Sequence, residues 1–424
     1  MRASLIRLFR SGASDRPLSR WGFATSWLFV VPIILTVLSP LDDRARAEKA
    51  RLTAPIIYLG KRYPRPLPLS LLEKVVTDEG VQGARLGIRD DNVTGSFLGQ
   101  HYELTEIVAS EDEDVIPRAK SALAEGHRYM IADLEAQDLL AVTDLPEAAN
   151  AMILNIRAGD DSLRQESCRV NLFHILPSWS MRADALAQYL VAKRWNRWLL
   201  IKGKTPADQQ YVAAIKRAAS RFGGKIVAER TYEFDAGSRR VDSGHQQIQT
   251  QMPMLTQGTP EHDVIFVADV GEVFGEYLLF NTYQPRPVVG THGLVAVAWH
   301  RSFEQYSGTQ LQHSFEKFAG RIMTESDYAA WLAARIFGEG VTRTNSAEIK
   351  DVEAYILSDK FEVAGFKGQG ITFRRWDHQL RQPILLSGPR ALVSVSPQEG
   401  FLHPKFLTDT LGFDEPETKC RLKQ

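Results

Sequence analysis

The side chains most capable of catalysis are two histidines that follow an aspartate. His292 and His300 lie eight residues apart, and Asp269 lies upstream of both. The nearby serines have no nucleophile-elbow context, and this spacing matches no metal-ligand motif. No G-x-S-x-G, H-E-x-x-H or P-loop sequence is present. We therefore interpret the histidines as polar or pocket residues and predict no catalytic residue and no metal site.

A second group of side chains has the chemistry to hold a ligand, because each member follows a short apolar segment. If these segments are parallel strands, ligands bind beyond their carboxyl ends. Loops on a rigid scaffold are also where binding residues concentrate. The predicted ligand-binding residues of this group are Arg157, Lys204, Asp269, Thr291 and His292.

Trp179 joins this group, because it follows Pro177 and Ser178 in a loop before a predicted helix. An arginine fork binds carboxylates, a lysine supplies a point charge, and an indole stacks on a planar ligand. The set predicts a planar, anionic ligand. Each member also has a structural alternative: Trp179 as a core residue, Arg157 in an ion pair, and Lys204 as a solvated loop lysine.

The elements that must position these side chains alternate along the chain. Apolar segments at 56–59, 129–132 and 151–156 predict strands, and helical patterns separate them. The alternation restarts after Cys168, with a near-continuous apolar strand at 198–201. This pattern predicts an α/β fold with mainly parallel sheets covered by helices on both faces.

The overall composition is that of a globular protein. The chain has 424 residues, of which 44% are hydrophobic and 24% are charged. This length is enough for two or three domains. The formal net charge is zero, so no basic surface indicates nucleic-acid binding, and we predict no nucleic-acid partner.

The N-terminus has the pattern of an export signal. Five arginines precede an apolar stretch at 21–38, and the small-residue signature Ala45-Arg46-Ala47 follows that stretch. This order predicts a cleavable signal peptide over residues 1–47 and a periplasmic mature protein. The alternative is a retained membrane anchor, which Pro32 disfavours.

The two cysteines, Cys168 and Cys420, are the only ones in the chain. In an oxidising compartment this count permits one disulfide bond, which we predict. Two unpaired buried thiols are the alternative.

Several segments together resemble the type I periplasmic binding proteins, relatives of the leucine/isoleucine/valine-binding proteins of ABC transporters. They are Trp198–Gly203 with the following helix to Gly224, the strands 264–268 and 287–290, and Phe366–Phe373. The resemblance implies two doubly wound lobes joined by a hinge, and an ABC permease as partner. We place lobe one at 52–172 plus 293–355, and lobe two at 173–292 plus 356–424.

In that arrangement Arg157 belongs to lobe one, whereas Trp179, Lys204 and Asp269 belong to lobe two. Thr291 and His292 lie near a crossover between the lobes. Closure around the ligand is then a hinge motion, stabilised by ligand contacts to both lobes. The expected protein is a monomer that binds a ligand and catalyses nothing.

A narrower resemblance concerns the substrate-binding protein found with PQQ-dependent alcohol dehydrogenase systems. It is carried by Val393–His403, Trp376–Leu386, Cys168–Asp184 and the terminal Cys420-Arg421. It implies pyrroloquinoline quinone, a planar tricarboxylate, as the bound ligand rather than as a catalytic cofactor, and a PQQ-dependent alcohol dehydrogenase system as partner.

Two other functions remain as alternatives. The first is an ABC-transporter binding protein for an amino acid or another small metabolite. Amino-acid binders hold the ligand carboxylate with a hydroxyl-rich loop in lobe one, but here that loop, Asp133–Gln137, contains no Ser or Thr. The second is a periplasmic redox accessory or enzyme.

Overall fold

The computed structural model describes residues 52–64, 74–233 and 242–422, without the side chains of 242–247. The predicted signal peptide, residues 1–47, lies outside the described residues. In the part of the chain that the structure describes, no helix combines the length and the apolar character needed to span a bilayer.

The strands and helices alternate as the sequence predicts. The strands are β1 (Leu52–Lys61), β2 (Gln100–Ala109), β3 (Tyr129–Asp133), β4 (Met152–Asn155), β5 (Leu172–His174), β6 (Arg197–Lys202), β7 (Lys225–Thr231), β8 (Val264–Ala268), β9 (Val288–Gly290), β10 (Leu294–Val297), β11 (Val363–Ala364), β12 (Gly370–Phe373), β13 (Leu380–Arg381), β14 (Ile384–Ser387) and β15 (Leu392–Ser396). The helices are α1 (Val81–Leu98), α2 (Ile116–Ala124), α3 (Ala136–Thr143), α4 (Trp179–Ala192), α5 (Pro206–Phe222), α6 (Asp242–Thr256), α7 (Gly308–Ala319), α8 (Glu325–Thr344) and α9 (Ile349–Ile356).

The first sheet contains five parallel strands in the order β2-β1-β3-β4-β5. Ile56 and Ile57 are consecutive in β1 and both are buried, so they pack on opposite faces of the sheet. Ile56 belongs to a core that includes residues of α1 and α8, and Ile57 to a core that includes residues of α2 and α3. This sheet and its helices form the first lobe.

The second sheet contains seven strands in the order β15-β14-β10-β9-β8-β6-β7. Strands β6 to β10 run parallel to one another, whereas β14 pairs antiparallel with both of its neighbours, β10 and β15. One face packs with α4 and α5, and residues of α6 lie in the core on the other face. This sheet and its helices form the second lobe, and the chain is therefore an α/β protein with two mainly parallel sheets.

Local signals in the sequence explain where the helices of the second lobe begin and end. The Ser178 hydroxyl caps α4 by accepting a hydrogen bond from the Met181 amide. Thr205 and Asp208 form a capping box at the start of α5. Gly223 ends α5 in the left-handed conformation, at φ 85°, which explains the Gly-Gly pair that follows this helix.

The chain crosses between the lobes three times, and two crossings differ in position from the prediction. The predicted return to lobe one begins at residue 293, but β10 pairs with β9 and β14 in the second sheet. The return therefore follows Val297. The last crossing lies between β13 and β14 rather than at 356, because Phe361, Ile371 and Leu380 are buried in the core of the first lobe.

The predicted disulfide bond between Cys168 and Cys420 is present, with Cα atoms 5.7 Å apart. Cys168 lies in the first-lobe loop between β4 and β5. The C-terminal tail packs on the second lobe before it reaches this loop: the Gly412 amide donates to Asp184 of α4 at 2.9 Å. The disulfide bond therefore connects the tail of the second lobe to the first lobe.

Candidate functional site

The carboxyl ends of β4, β8 and β9 meet between the lobes, around a cavity of about 560 Å³. We call it the central cavity. Four of the six predicted ligand-binding residues line it: Arg157, Trp179, Asp269 and Thr291. A second cavity of about 500 Å³, the first-lobe cavity, lies at the carboxyl ends of β1 and β3. Arg157 lines both.

Arg157 is held by ion pairing and by an aromatic contact. Its Nε donates to Asp133 Oδ1 at 2.6 Å, and its guanidinium lies 5.3 Å from the centroid of the Tyr63 ring. Its side chain remains 31% exposed. Among the residues that the structure describes, its Nη groups have no hydrogen-bond partner. Arg157 therefore combines a structural ion pair with free donors at the cavity.

Asp133, the first residue of the loop without hydroxyls, is ion-paired and hydrogen-bonded in this arrangement. Its second oxygen accepts a hydrogen bond from the Tyr58 hydroxyl at 2.7 Å. Burial and then the charge of Asp133 raise the pKa of Tyr58, which keeps the phenol a donor. The Tyr63 hydroxyl also accepts a hydrogen bond from the Glu135 amide, at 2.8 Å. The hydroxyl groups beside this loop therefore belong to tyrosines of β1 and of the residues that follow it.

Glu135, the acidic residue within the loop Asp133–Gln137, lines the first-lobe cavity rather than the central one. Burial raises the pKa of its carboxyl, and the nearby Arg157 opposes that rise. The Glu135 carboxylate therefore lies near Arg157 but not in the lining of the central cavity.

Trp179 is the first residue of α4, and its indole forms part of the second-lobe wall. Its ring centroid lies 5.4 Å from that of Tyr211, with the planes tilted by 51°. Gly159 of the first lobe approaches the indole so closely that an added Cβ would lie 3.2 Å from it. Trp179 thus has both of the roles that the sequence left open, packing against neighbours and lining the cavity.

Asp269 is buried, and its carboxylate shapes the loop that follows β8. It accepts hydrogen bonds from the amides of Val273 at 3.0 Å and of Phe274 and Gly275, each at 2.7 Å. The Thr291 hydroxyl accepts a hydrogen bond from the Asp269 amide at 3.1 Å. Asp269 therefore positions the loop, with both of its carboxylate oxygens bonded to backbone amides.

Lys204 and His292 are the two predicted ligand-binding residues that do not line either cavity. Lys204 is exposed and forms an ion pair with Glu233 beyond the end of β7. His292 is buried, and its Nδ1 lies 3.0 Å from the Thr291 hydroxyl. The prediction placed them by strand ends alone, but the turn after each strand directs Lys204 to the sheet margin and His292 into the protein.

Arg182 and Glu325 line the central cavity, and sequence reasoning missed both. Arg182 donates from Nη1 to the Ala296 carbonyl at 2.7 Å and from Nη2 to Glu325 Oε2 at 3.0 Å. Its guanidinium also lies 5.9 Å from the Trp179 ring centroid. The three-residue spacing between Trp179 and Arg182, one turn of helix, is the sequence signal that could have found the arginine.

The described part of the site brings together charged side chains and aromatic rings. Within residues 52–64, 74–233 and 242–422, no group of three His, Cys, Asp or Glu side chains could hold a metal ion. The two arginines that line the central cavity are each paired with a carboxylate. This arrangement can bind a small solute through Arg157 and the aromatic wall.

Comparison with known proteins places these features in a family. Residues 74–387 match a family described as "Periplasmic binding protein". No curated protein sequence is a significant match.

Solved structures share the fold at low sequence identity. A branched chain amino acid ABC transporter periplasmic ligand-binding protein from Burkholderia xenovorans is 15% identical, with a TM-score of 0.65 over 88% of this chain and 100% of that chain. A leucine-, isoleucine-, valine-, threonine-, and alanine-binding protein from Brucella ovis is 14% identical, with a TM-score of 0.65 over 88% and 99%. An ABC transporter solute binding protein from R. palustris, in complex with benzoate, is 13% identical, with a TM-score of 0.59 over 88% and 99%.

Proposed function

The chain belongs to the periplasmic binding protein family, and from that premise we propose that it binds a small, carboxylate-bearing solute between its lobes for uptake by an ABC permease. The family consists of binding proteins, so the chain is a binding protein and not an enzyme. The observation that carries the proposed ligand class is Arg157, a partly exposed arginine that lines the central cavity and whose Nη groups have no hydrogen-bond partner among the described residues.

Each wall of the cavity has a proposed role. Arg157 receives the ligand carboxylate with its Nη groups, while Asp133 fixes the opposite edge of the guanidinium. Trp179 and Tyr211 offer an aromatic surface for the body of the ligand. Thr291 supplies a hydroxyl at the end of β9. We leave Lys204 and His292 out of the proposed site, because neither lines a cavity.

An amino acid or an aromatic acid suits this site better than pyrroloquinoline quinone. Leucine and related amino acids, and benzoate, are named with proteins of the same fold. The comparisons give no support to pyrroloquinoline quinone or to an alcohol dehydrogenase partner. A tricarboxylate would also need several free cations, but Arg182 is paired with Glu325 and Lys204 lies at the sheet margin.

The test is to identify the ligand directly. Native mass spectrometry of the protein purified from periplasm should show a small molecule that is lost on denaturation. Calorimetric titration of the unfolded and refolded protein should then give binding of L-leucine or benzoate, but no comparable binding of pyrroloquinoline quinone. Binding of the quinone alone would restore it as the ligand. Absence of any bound molecule or any heat would contradict the proposed ligand class.

Recovery of the mature protein from periplasm, with an N-terminus at Glu48, would test the proposed export. Retention of Met1 in a membrane fraction would contradict it.

A further inference from the structure

The two arginines of the central cavity come from opposite lobes, and each is paired with a carboxylate of the first lobe. Arg157 Nε lies 2.6 Å from Asp133 in the first lobe, and Arg182 Nη2 lies 3.0 Å from Glu325 across the lobes. The Asp133 and Glu325 side chains are only 9% and 23% exposed. Water therefore screens these carboxylates weakly, and their charge acts on anything bound in the cavity.

The carboxylates are also fixed in place by further hydrogen bonds. Asp133 accepts the Tyr58 hydroxyl at 2.7 Å. Glu325 accepts the Ala298 amide with its second oxygen. Neither carboxylate can rotate away without losing a hydrogen bond, so each is a fixed negative charge. Glu325 lines the central cavity, and Asp133 lines the adjoining first-lobe cavity, beside Arg157, which lines both.

The free donors of the two arginines differ in number. Arg182 uses both Nη groups, one on Ala296 and one on Glu325. Arg157 uses only Nε on a side-chain partner. Among the described residues, the Nη edge of Arg157 is therefore the open guanidinium edge at the central cavity, and it matches one carboxylate.

Resting on the function proposed above, we propose that Asp133 and Glu325 are specificity-determining residues that select ligands by carboxylate number. A monocarboxylate bonds to the open edge of Arg157. A second or third carboxylate on the same ligand meets Glu325, or Asp133 beside Arg157, instead of a free cation. Because water screens these largely buried carboxylates weakly, the like charges oppose binding.

Benzoate, isophthalate and trimesate are matched probes, because they carry one, two and three carboxylates on the same ring. Calorimetric titration of the wild-type protein should give an affinity that falls in that order. In Glu325→Gln, trimesate should bind roughly tenfold more tightly than to the wild type, with little change for benzoate. In Asp133→Asn, which also loses the partner of Arg157 and so changes the affinity for every probe, the ratio of trimesate to benzoate affinity should rise by a similar factor. High salt should reduce the gain.

Glu353→Gln is the matched control, because it makes the same change in net charge at a groove on the amino-terminal side of the first sheet. It should leave the ratio of trimesate to benzoate affinity unchanged. Thermal unfolding of each variant checks that the fold is retained, and the two test variants change different elements of the first lobe, β3 and α8, so one folded variant is enough.

An unchanged affinity ratio in both Glu325→Gln and Asp133→Asn would overturn the selection. An equal gain in Glu353→Gln would also overturn it, because net charge alone would then explain the effect. A wild-type protein that binds none of the three probes contradicts the proposed ligand class instead. Even then, gain of trimesate binding in the test variants supports selection, and absence of that gain overturns it.

Discussion

The two walls of the central cavity are built from the same parts and differ in what they leave free. The first-lobe wall pairs Arg157 with Asp133 over the ring of Tyr63. In the second-lobe wall, Arg182 lies beside Trp179 and pairs across the lobes with Glu325 of the first lobe. Arg157 is 31% exposed with open Nη groups, whereas Arg182 is 12% exposed with both Nη groups bonded.

This difference shows that residue type does not set function at the site. An arginine whose Nε is bonded to a carboxylate and whose Nη groups are free can receive a ligand. An arginine whose Nη groups are bonded to the chain of its own lobe and to the other lobe is a structural contact. The comparison predicts that Arg157 acts mainly on binding and Arg182 mainly on stability.

The largest effect should come from Arg157→Ala, which should weaken ligand binding by roughly 2–5 kcal/mol, because a bound carboxylate loses its charged partner. Calorimetric titration with the ligand that copurifies measures this loss. Arg157→Lys is the control: it keeps a cation beside Asp133 but loses the fork, so it should recover only part of the affinity. Wild-type affinity in Arg157→Ala would show that Arg157 of the first-lobe wall does not bind the ligand carboxylate.

The disulfide bond anchors the loop that follows Arg157, so its loss should act on the first-lobe side. Replacing Cys168 and Cys420 together by Ser should lower the free energy of unfolding by roughly 2–4 kcal/mol, because the unfolded chain gains freedom. Denaturant unfolding measures the loss. Hydrogen exchange should quicken in the loop 157–171 more than in β8. Two reactive thiols in the denatured, unreduced wild-type protein would contradict the bond itself.

Arg182→Ala should lower the free energy of unfolding by about 2 kcal/mol, since it leaves Glu325 and the Ala296 carbonyl partly buried without their donor. Thermal unfolding of the ligand-free protein measures the change, with Arg182→Lys as the control that keeps the charge. We expect Arg182→Ala to lose more free energy of unfolding than Arg157→Lys does. Equal stability of the wild type and Arg182→Ala would remove the distinction between the two walls.

Lys367 connects the second-lobe wall to the crossing segments, and it makes stability depend on pH. Its Nζ donates to the Ala298 carbonyl and, at 3.2 Å, to the Pro383 carbonyl. Burial lowers its pKa from 10.5 to about 7, although Glu325 opposes the shift. Between these two values the unfolded chain holds a proton that the folded chain releases, so stability should rise with pH.

The slope expected from this group is at most about 1.4 kcal/mol per pH unit. Urea unfolding at several pH values between 7 and 10 measures it. Lys367→Met should flatten the rise. The same slope in both proteins would show that Lys367 does not titrate in this window.

The smallest effect should come from Trp179→Phe, which keeps an aromatic face beside Tyr211 and should weaken binding by less than about 1 kcal/mol. Trp179→Ala should cost more, though less than Arg157→Ala. Calorimetric titration ranks the three variants. A large loss of ligand-free stability in Trp179→Phe would show that the indole serves the core more than the cavity.

The sequence predicts the fold well, because apolar strands and capped helices are local signals. The strands predicted at 198–201 and 264–268 are present as β6 and β8, and Gly223 ends the helix before β7. The lobe boundaries are less accurate, because β10 looks like any short apolar segment until its pairing with β14 assigns it to the second sheet.

The site is only partly predictable for a related reason. A strand end places a residue at the correct edge of a sheet, and four of the six predicted ligand-binding residues line the central cavity. It does not say which way the next turn directs the side chain. For this reason Lys204 is found beside Glu233 and His292 beside Thr291.

The sequence by itself determined the α/β architecture, the two cysteines available for a bridge and the residue types at the cavity edge. These follow from periodicity, composition and spacing, which act over a few residues. Only the tertiary structure decided which cations remain free. The partners of Arg157 and Arg182 lie 24 and 143 positions away along the chain, and long-range packing brings those carboxylates to the arginines.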